Sequence, residues 1–207
     1  MLLMNLTKLI QSKPVDFIGA FYLENLTVCD DLVKFFNANP KKQQQGASRV
    51  NTNGKSTLGV NKQIKDSLDI YLPPNDMTPA WQLYQYELNK VIKQYTEMFP
   101  MSVRSSPWGI REYTNLQYYK PGGGYFDWHS ERLTGAGHVA ARNLVFMTYL
   151  NDVTDGGETE FYHQEVKVKP EKGLTLIWPS DWTYYHRGVT SPTQEKYIIT
   201  GWLSFQA

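Results

Sequence analysis

Tyr118–Glu131 reads YYKPGGGYFDWHSE. A proline and three glycines mark a turn, and the run after it sets His129 two residues before Glu131. Successive side chains of a strand alternate faces, so residues i and i+2 project together. Read as a strand over 125–131, this stretch aims an imidazole and a carboxylate at one point. Alone, a His-x-Glu pair is most often two solvated polar side chains, because the pattern is common by chance. Its meaning depends on what surrounds it.

Downstream, the chain has a strand texture. From Gly109 onward, short runs rich in aromatic and β-branched residues alternate with Gly, Pro and Asp. The runs fall at 110–120, 125–131, 142–151, 158–162, 165–168, 173–178, 184–189 and 195–205. About eight such runs with no helix between them predict an antiparallel sandwich, barrel or jelly roll. Asp155-Gly156-Gly157-Glu158 is a turn signal that needs positive φ, and Pro170–Gly173 is another.

Upstream, the pattern is helical. Leu26, Val28, Leu32, Val33 and Phe36 recur at helical spacing within 21–37, and Pro40 lies just beyond. Thr78 suits the N-cap of a second helix over 79–99, with Trp81, Leu83, Tyr84, Leu88, Val91 and Ile92 on its apolar face. Residues 41–62 are polar and aperiodic and read as a long loop, functional or disordered. Ile64–Leu72 reads as a short strand stopped by Pro73 and Pro74. The expectation is one α+β, mostly β domain over 1–207: helical support and the long loop in 1–105, and a jelly-roll core in 106–207.

Bulk properties exclude little but point one way. The 207 residues are 41% hydrophobic and 20% charged, as in an ordinary globular domain. A net charge of +1 gives no electrostatic footprint for a nucleic-acid or membrane partner. Cys29 is the only cysteine, so no internal disulfide or CxxC zinc site can form. The polar start, MLLMNLTKLIQSKP, does not read as a signal peptide or membrane span. A cytoplasmic setting follows as the expectation.

His186 lies 57 residues after His129, on a separate strand signal. Two histidines and a carboxylate make the facial triad of non-heme Fe(II) oxygenases, with three positions left open. Asp127 shares the expected face and competes with Glu131. His138 and His163 lie in loops and read as solvated, and a zinc site assembled from several of these residues is the structural alternative. Lys196, ten residues after His186, shares a strand face with Ile198, Thr200 and Trp202. A lysine on that face is costly to bury without an anion, and the alternative is a strand-end lysine that snorkels to water.

The stretches YYKPGGGYFDWHSE, RNLVFMTYLNDVTDGGETEF (142–161), VKVKPEKGLTLIW (166–178), HRGV (186–189) and EKYIITGWLSF (195–205) together resemble the Fe(II)/2-oxoglutarate-dependent dioxygenases of the prolyl 4-hydroxylase-like branch. The resemblance covers about 118–205, and it implies that the loop 41–62 stands where relatives carry a lid over a peptide groove. It implies a double-stranded β-helix and an iron held by His129, Glu131 and His186. Lys196 then takes the distal carboxylate of 2-oxoglutarate, and Tyr119 or Tyr118 offers its hydroxyl, with Thr200 as a further donor. Dioxygen is consumed, with ascorbate as a supporting reductant, and an unactivated C–H bond is hydroxylated. The family's usual carboxylate is Asp, where this chain has Glu131. Arg142 and Thr148 are expected to face the site, and Arg187 to face away. The implied substrate is a prolyl residue of a peptide or protein, with a free amino acid or small metabolite, or a jelly-roll module without turnover, as alternatives. Oligomeric state is not legible in the sequence.

Overall fold

The computed structural model describes residues 16–52, 55–104, 106–132 and 138–206. The polar start of the chain lies outside them. The elements in order are β1 (Gly19–Tyr22), α1 (Thr27–Ala38), β2 (Gln44–Gln45), β3 (Ser48–Thr52), β4 (Lys55–Gly59), β5 (Lys65–Asp66) and β6 (Leu68–Leu72). Then come α2 (Pro79–Met98), β7 (Trp108–Ile110), β8 (Thr114–Tyr119), β9 (Gly124–Tyr125), β10 (Arg142–Tyr149), β11 (Thr159–Phe161), β12 (Val166–Val168), β13 (Leu174–Pro179), β14 (His186–Gly188) and β15 (Lys196–Phe205).

The large sheet runs β1-β13-β10-β15-β8-β6-β2, with β7 pairing the far end of β15. The small sheet is β12-β11-β14. Every pairing in both sheets is antiparallel. This is the mostly β, jelly-roll-type core with flanking helices that the strand texture predicts.

Period-2 alternation divides the buried residues into two clusters. Leu144, Phe146, Ile177, Ile199 and Leu203 meet Val28, Leu32 and Phe36 of α1 and Trp81, Tyr84 and Leu88 of α2. Val145, Met147, Leu176 and Trp178 point the other way, against Phe161, Val166 and Val168 of the small sheet. Burying a side chain such as Phe146 or Leu144 stabilises by roughly 1.5–3 kcal/mol. The large sheet is therefore clamped between the helices and the small sheet.

Several expectations need correction. The first helix does not begin at Phe21, because Gly19–Tyr22 pairs with β13 as an edge strand. Residues 41–62 are not one irregular loop, since β3 and β4 pair within them as a hairpin. The Thr78 side chain makes no capping bond. Its backbone N–H instead donates to Asp76 Oδ1 at 2.7 Å. Residues 125–131 do not form a strand: β9 is two residues long, and His129 joins β14 by an isolated bridge.

Candidate active site

The bridge itself sets the two histidines side by side. The His129 N–H donates to the His186 carbonyl at 3.0 Å and the His186 N–H to the His129 carbonyl at 2.9 Å. Just beyond, the backbone N–H groups of Glu131 and Arg132 both donate to Ser180 O. This short pinned segment does what a regular strand was expected to do. His129, Glu131 and His186 converge, with one ligand atom from each lying within 4.8 Å of the others.

The donor chemistry is specific. His129 Nδ1 lies 3.0 Å from Asp127 O, and His186 Nδ1 lies 3.0 Å from Tyr184 O. A carbonyl only accepts, so each Nδ1 carries a proton and each Nε2 presents a lone pair. Those Nε2 atoms sit 3.6 and 3.5 Å from Glu131 Oε1. Two acceptor nitrogens facing a carboxylate oxygen require a cation between them. Metal bonds of roughly 2.0–2.2 Å would bring cis ligands to about 3 Å apart, close to what is observed. The set therefore fits a divalent metal with facial coordination.

Burial opposes ionisation of Glu131, but whenever the two imidazoles beside it carry a second proton, their hydrogen bonds and charge outweigh that and hold it well below the usual carboxylate range; a metal cation in the same place acts in the same direction. Burial, and then the neighbouring His129, push His186 down, which favours the neutral imidazole a metal needs. Asp127 is exposed, and only its backbone carbonyl takes part, so Glu131 is the carboxylate that reaches the cluster. His138 and His163 are exposed and stand apart from it.

Lys196 is 5% exposed. Its amine donates to Gly157 O at 2.9 Å and forms no ion pair among the described residues. Gly157 stands in the Asp155–Glu158 turn at φ +80°, as that turn signal requires. Burial pushes the Lys196 amine down to about 8, with Glu158 acting against the shift. A Cβ built at Gly188, two residues past His186, would lie 3.7 Å from this amine. The cation therefore borders the same interior as the histidines. It is buried, short of a counter-charge, and suited to a dicarboxylate.

Tyr119 pairs with Lys196 across β8 and β15, and its ring centroid lies 5.2 Å from the amine. Its hydroxyl donates to Gln117 Oε1 at 2.6 Å. Tyr118 faces the opposite way, because adjacent residues of a strand alternate. It packs on Phe36 and Tyr197, and its hydroxyl donates to Glu195. The Thr200 hydroxyl donates to Phe146 O at 3.0 Å, so it does not present the free donor expected of it. Thr148 is also misplaced in the expectation: it lies on the helix side, bonded to Tyr84 and Thr175. Arg142 does reach Glu131, while Arg187 turns away to Glu160 and Trp128.

Residues 114–204 match the 2OG-Fe(II) oxygenase superfamily. The chain carries a 2OG-Fe(II) oxygenase domain. The matched span holds every residue of the constellation above. No curated protein matches the chain in sequence. Among solved structures, the chain is similar to a prolyl-4-hydroxylase from Pseudomonas putida, with a TM-score of 0.67 at 15% identity over 93% of this chain and 95% of that one. It is also similar to a viral collagen prolyl hydroxylase from Paramecium bursaria Chlorella virus-1, in its 2OG complex, at TM-score 0.65 and 16% identity over 93% and 98%. A Trichoplax adhaerens prolyl hydroxylase, in complex with a hypoxia-inducible-factor peptide fragment, gives 0.68 and 15% over 92% and 84%. At such identities the likeness is one of fold.

Sequence reasoning missed three residues of the oxygenase site. Tyr125 stacks on His129 with centroids 3.7 Å apart and rings 8° from parallel. Trp202 donates its indole N–H to Glu131. Glu112 braces Arg142. Tyr125 and Trp202 lie inside the motif stretches, and Trp202 shares the expected face of Lys196, but nothing local marks either as a partner of the ligands. Glu112 carries no local signal.

Proposed function

We propose that this oxygenase hydroxylates a prolyl residue in a peptide or protein, with Fe(II) on His129 Nε2, Glu131 Oε1 and His186 Nε2 and the distal carboxylate of 2-oxoglutarate on Lys196. The convergence of those three ligand atoms carries the reading. Iron with 2-oxoglutarate and dioxygen supplies oxidative decarboxylation to succinate and carbon dioxide, coupled to hydroxylation of a C–H bond. The chain's own residues orient and protect. Asp127 O and Tyr184 O fix the imidazole tautomers. Tyr125 holds the plane of His129. Phe161 and Trp178 pack on His186 and keep water from that side. Lys196 binds and orients the anion.

The peptide reading draws on two observations. The similar structures are prolyl hydroxylases, one of them with a peptide fragment bound. Next to the ligand histidines, Trp128, Tyr162, His163 and Trp182 form a run of edge-on ring contacts, with Tyr162 and Trp182 exposed. Aromatic surfaces of this kind suit an extended proline-rich segment. The domain is read as a single unit over 1–207, and the buried, unpaired Cys29 suits a cytoplasmic setting. Among the described residues no helix is long and apolar enough to cross a membrane.

The test is succinate release with Fe(II), 2-oxoglutarate and proline-containing peptides, followed by mass spectrometry. A peptide one oxygen heavier at proline is expected, and His186→Ala is expected to release no succinate. Undiminished turnover in that variant overturns the iron site, and hydroxylation of free metabolites alone overturns the substrate class.

A further inference from the structure

Glu131 has one methylene more than the aspartate expected at its position, and something must take up that length. Its two oxygens have different surroundings. Oε1 faces the two Nε2 atoms, while Oε2 accepts from Trp202 Nε1 at 3.0 Å and from Arg142 Nη1 at 3.3 Å. The same Nη1 also donates to the Glu131 backbone carbonyl at 3.0 Å. The guanidinium carbon lies over the Trp202 indole, 3.5 Å from its centroid. Arg142 in turn is held from behind. Its Nε lies 3.0 and 3.1 Å from the Glu112 oxygens, and its Nη2 lies 2.6 Å from one of them. Ser204 Oγ completes the Glu112 carboxylate at 3.0 Å. Arg142 and Glu112 are nearly buried, and a planar guanidinium gripped this way has little freedom.

The geometry points to Trp202 and Arg142, braced by Glu112, as positioning residues that hold Oε2 of Glu131 so that Oε1 alone meets the metal. They make the longer side chain a one-oxygen ligand in a fixed orientation. An aspartate at 131 would be too short to ligate and reach the indole N–H together. The clamp and the glutamate are therefore coupled, and either without the other loses its purpose. This inference rests on the metal reading above.

The experiment is a double-mutant cycle read by Co(II) binding, using calorimetry and the visible ligand-field spectrum rather than turnover. In the Glu131 protein, Trp202→Phe and Arg142→Met are each expected to weaken Co(II) by about tenfold to a hundredfold, and to change the spectrum as Oε2 is released. Glu112→Gln, which keeps the shape of the brace, is expected to cost less. In a Glu131→Asp background, Trp202→Phe is expected to change the affinity by less than about twofold. Thermal melting of each variant confirms folding. Equal loss in both backgrounds would mean a general structural role and would overturn the clamp, as would no loss in either. A wild-type protein that binds no Co(II) sinks the metal site itself, which is a different failure.

Discussion

Among the described residues two lysines are buried, and they are buried differently. Lys65 Nζ lies 2.6 Å from Asp69 Oδ2, and Ser67 Oγ donates to Oδ1 of the same carboxylate at 2.7 Å. That charge is closed within the protein. Among the described residues the Lys196 amine has a carbonyl oxygen as its hydrogen-bond partner and no carboxylate in an ion pair. Both are nearly inaccessible, at 2% and 5%. Burial alone therefore does not mark a functional cation. What differs is the counter-charge, which the chain supplies for Lys65 and which the proposed function assigns to 2-oxoglutarate for Lys196.

The largest expected effect is on the closed pair. Asp69→Ala leaves Lys65 charged and alone in the interior and should cost about 3–5 kcal/mol in denaturant unfolding, whereas replacing Lys65 and Asp69 together by Met and Leu should cost far less. Equal costs would mean that the pair is held for some other reason. Next, Lys196→Met should leave unfolding stability unchanged or raised, because it removes an uncompensated charge. The same variant should weaken 2-oxoglutarate binding by about a hundredfold. A large loss of stability in Lys196→Met would erase the distinction between the two lysines.

The third prediction concerns pH. The folded Lys196 titrates near 8, below its usual value of about 10.4 when unfolded. Between those values the unfolded chain holds a proton that the folded chain has lost. Without ligand, stability should therefore rise with pH through that window, and the cost of the buried charge is fully present below it. Affinity for 2-oxoglutarate should run the other way: flat below about pH 8, then falling by about tenfold per pH unit as the amine deprotonates. Calorimetry at stepped pH checks this, and Lys196→Met should abolish the slope. The smallest effect belongs to Glu158, which favours the charged amine. Glu158→Gln should move that break to lower pH by a fraction of a unit.

Legibility in the sequence followed the range of the interaction. The strands of the catalytic half show because one face of each meets helices and the other meets the small sheet, which writes apolar residues at fixed spacing. His129 and Glu131 show because their spacing is local. The hairpin of β3 and β4 was hidden, since the polar run that forms it carries no apolar alternation. The glycine turn blurred the register before His129, so Tyr118 and Tyr119 could not be told apart until the strand assigned them opposite faces. Glu112 joins the site only through Arg142, 30 residues away, and no pattern near it records that.

The pairing of β10 with β15 shifts register between Arg142 and Leu144. Without the shift, Arg142 and Leu144 would share a face, and the guanidinium would point into the helix-side core. The extra residue, Asn143, turns Arg142 over to Trp202 and Glu131. Chain length thus acts here as a switch between two compartments of the protein. Deleting Asn143 would change no ligand and no clamp residue, yet it would deliver the arginine to the wrong side of the sheet.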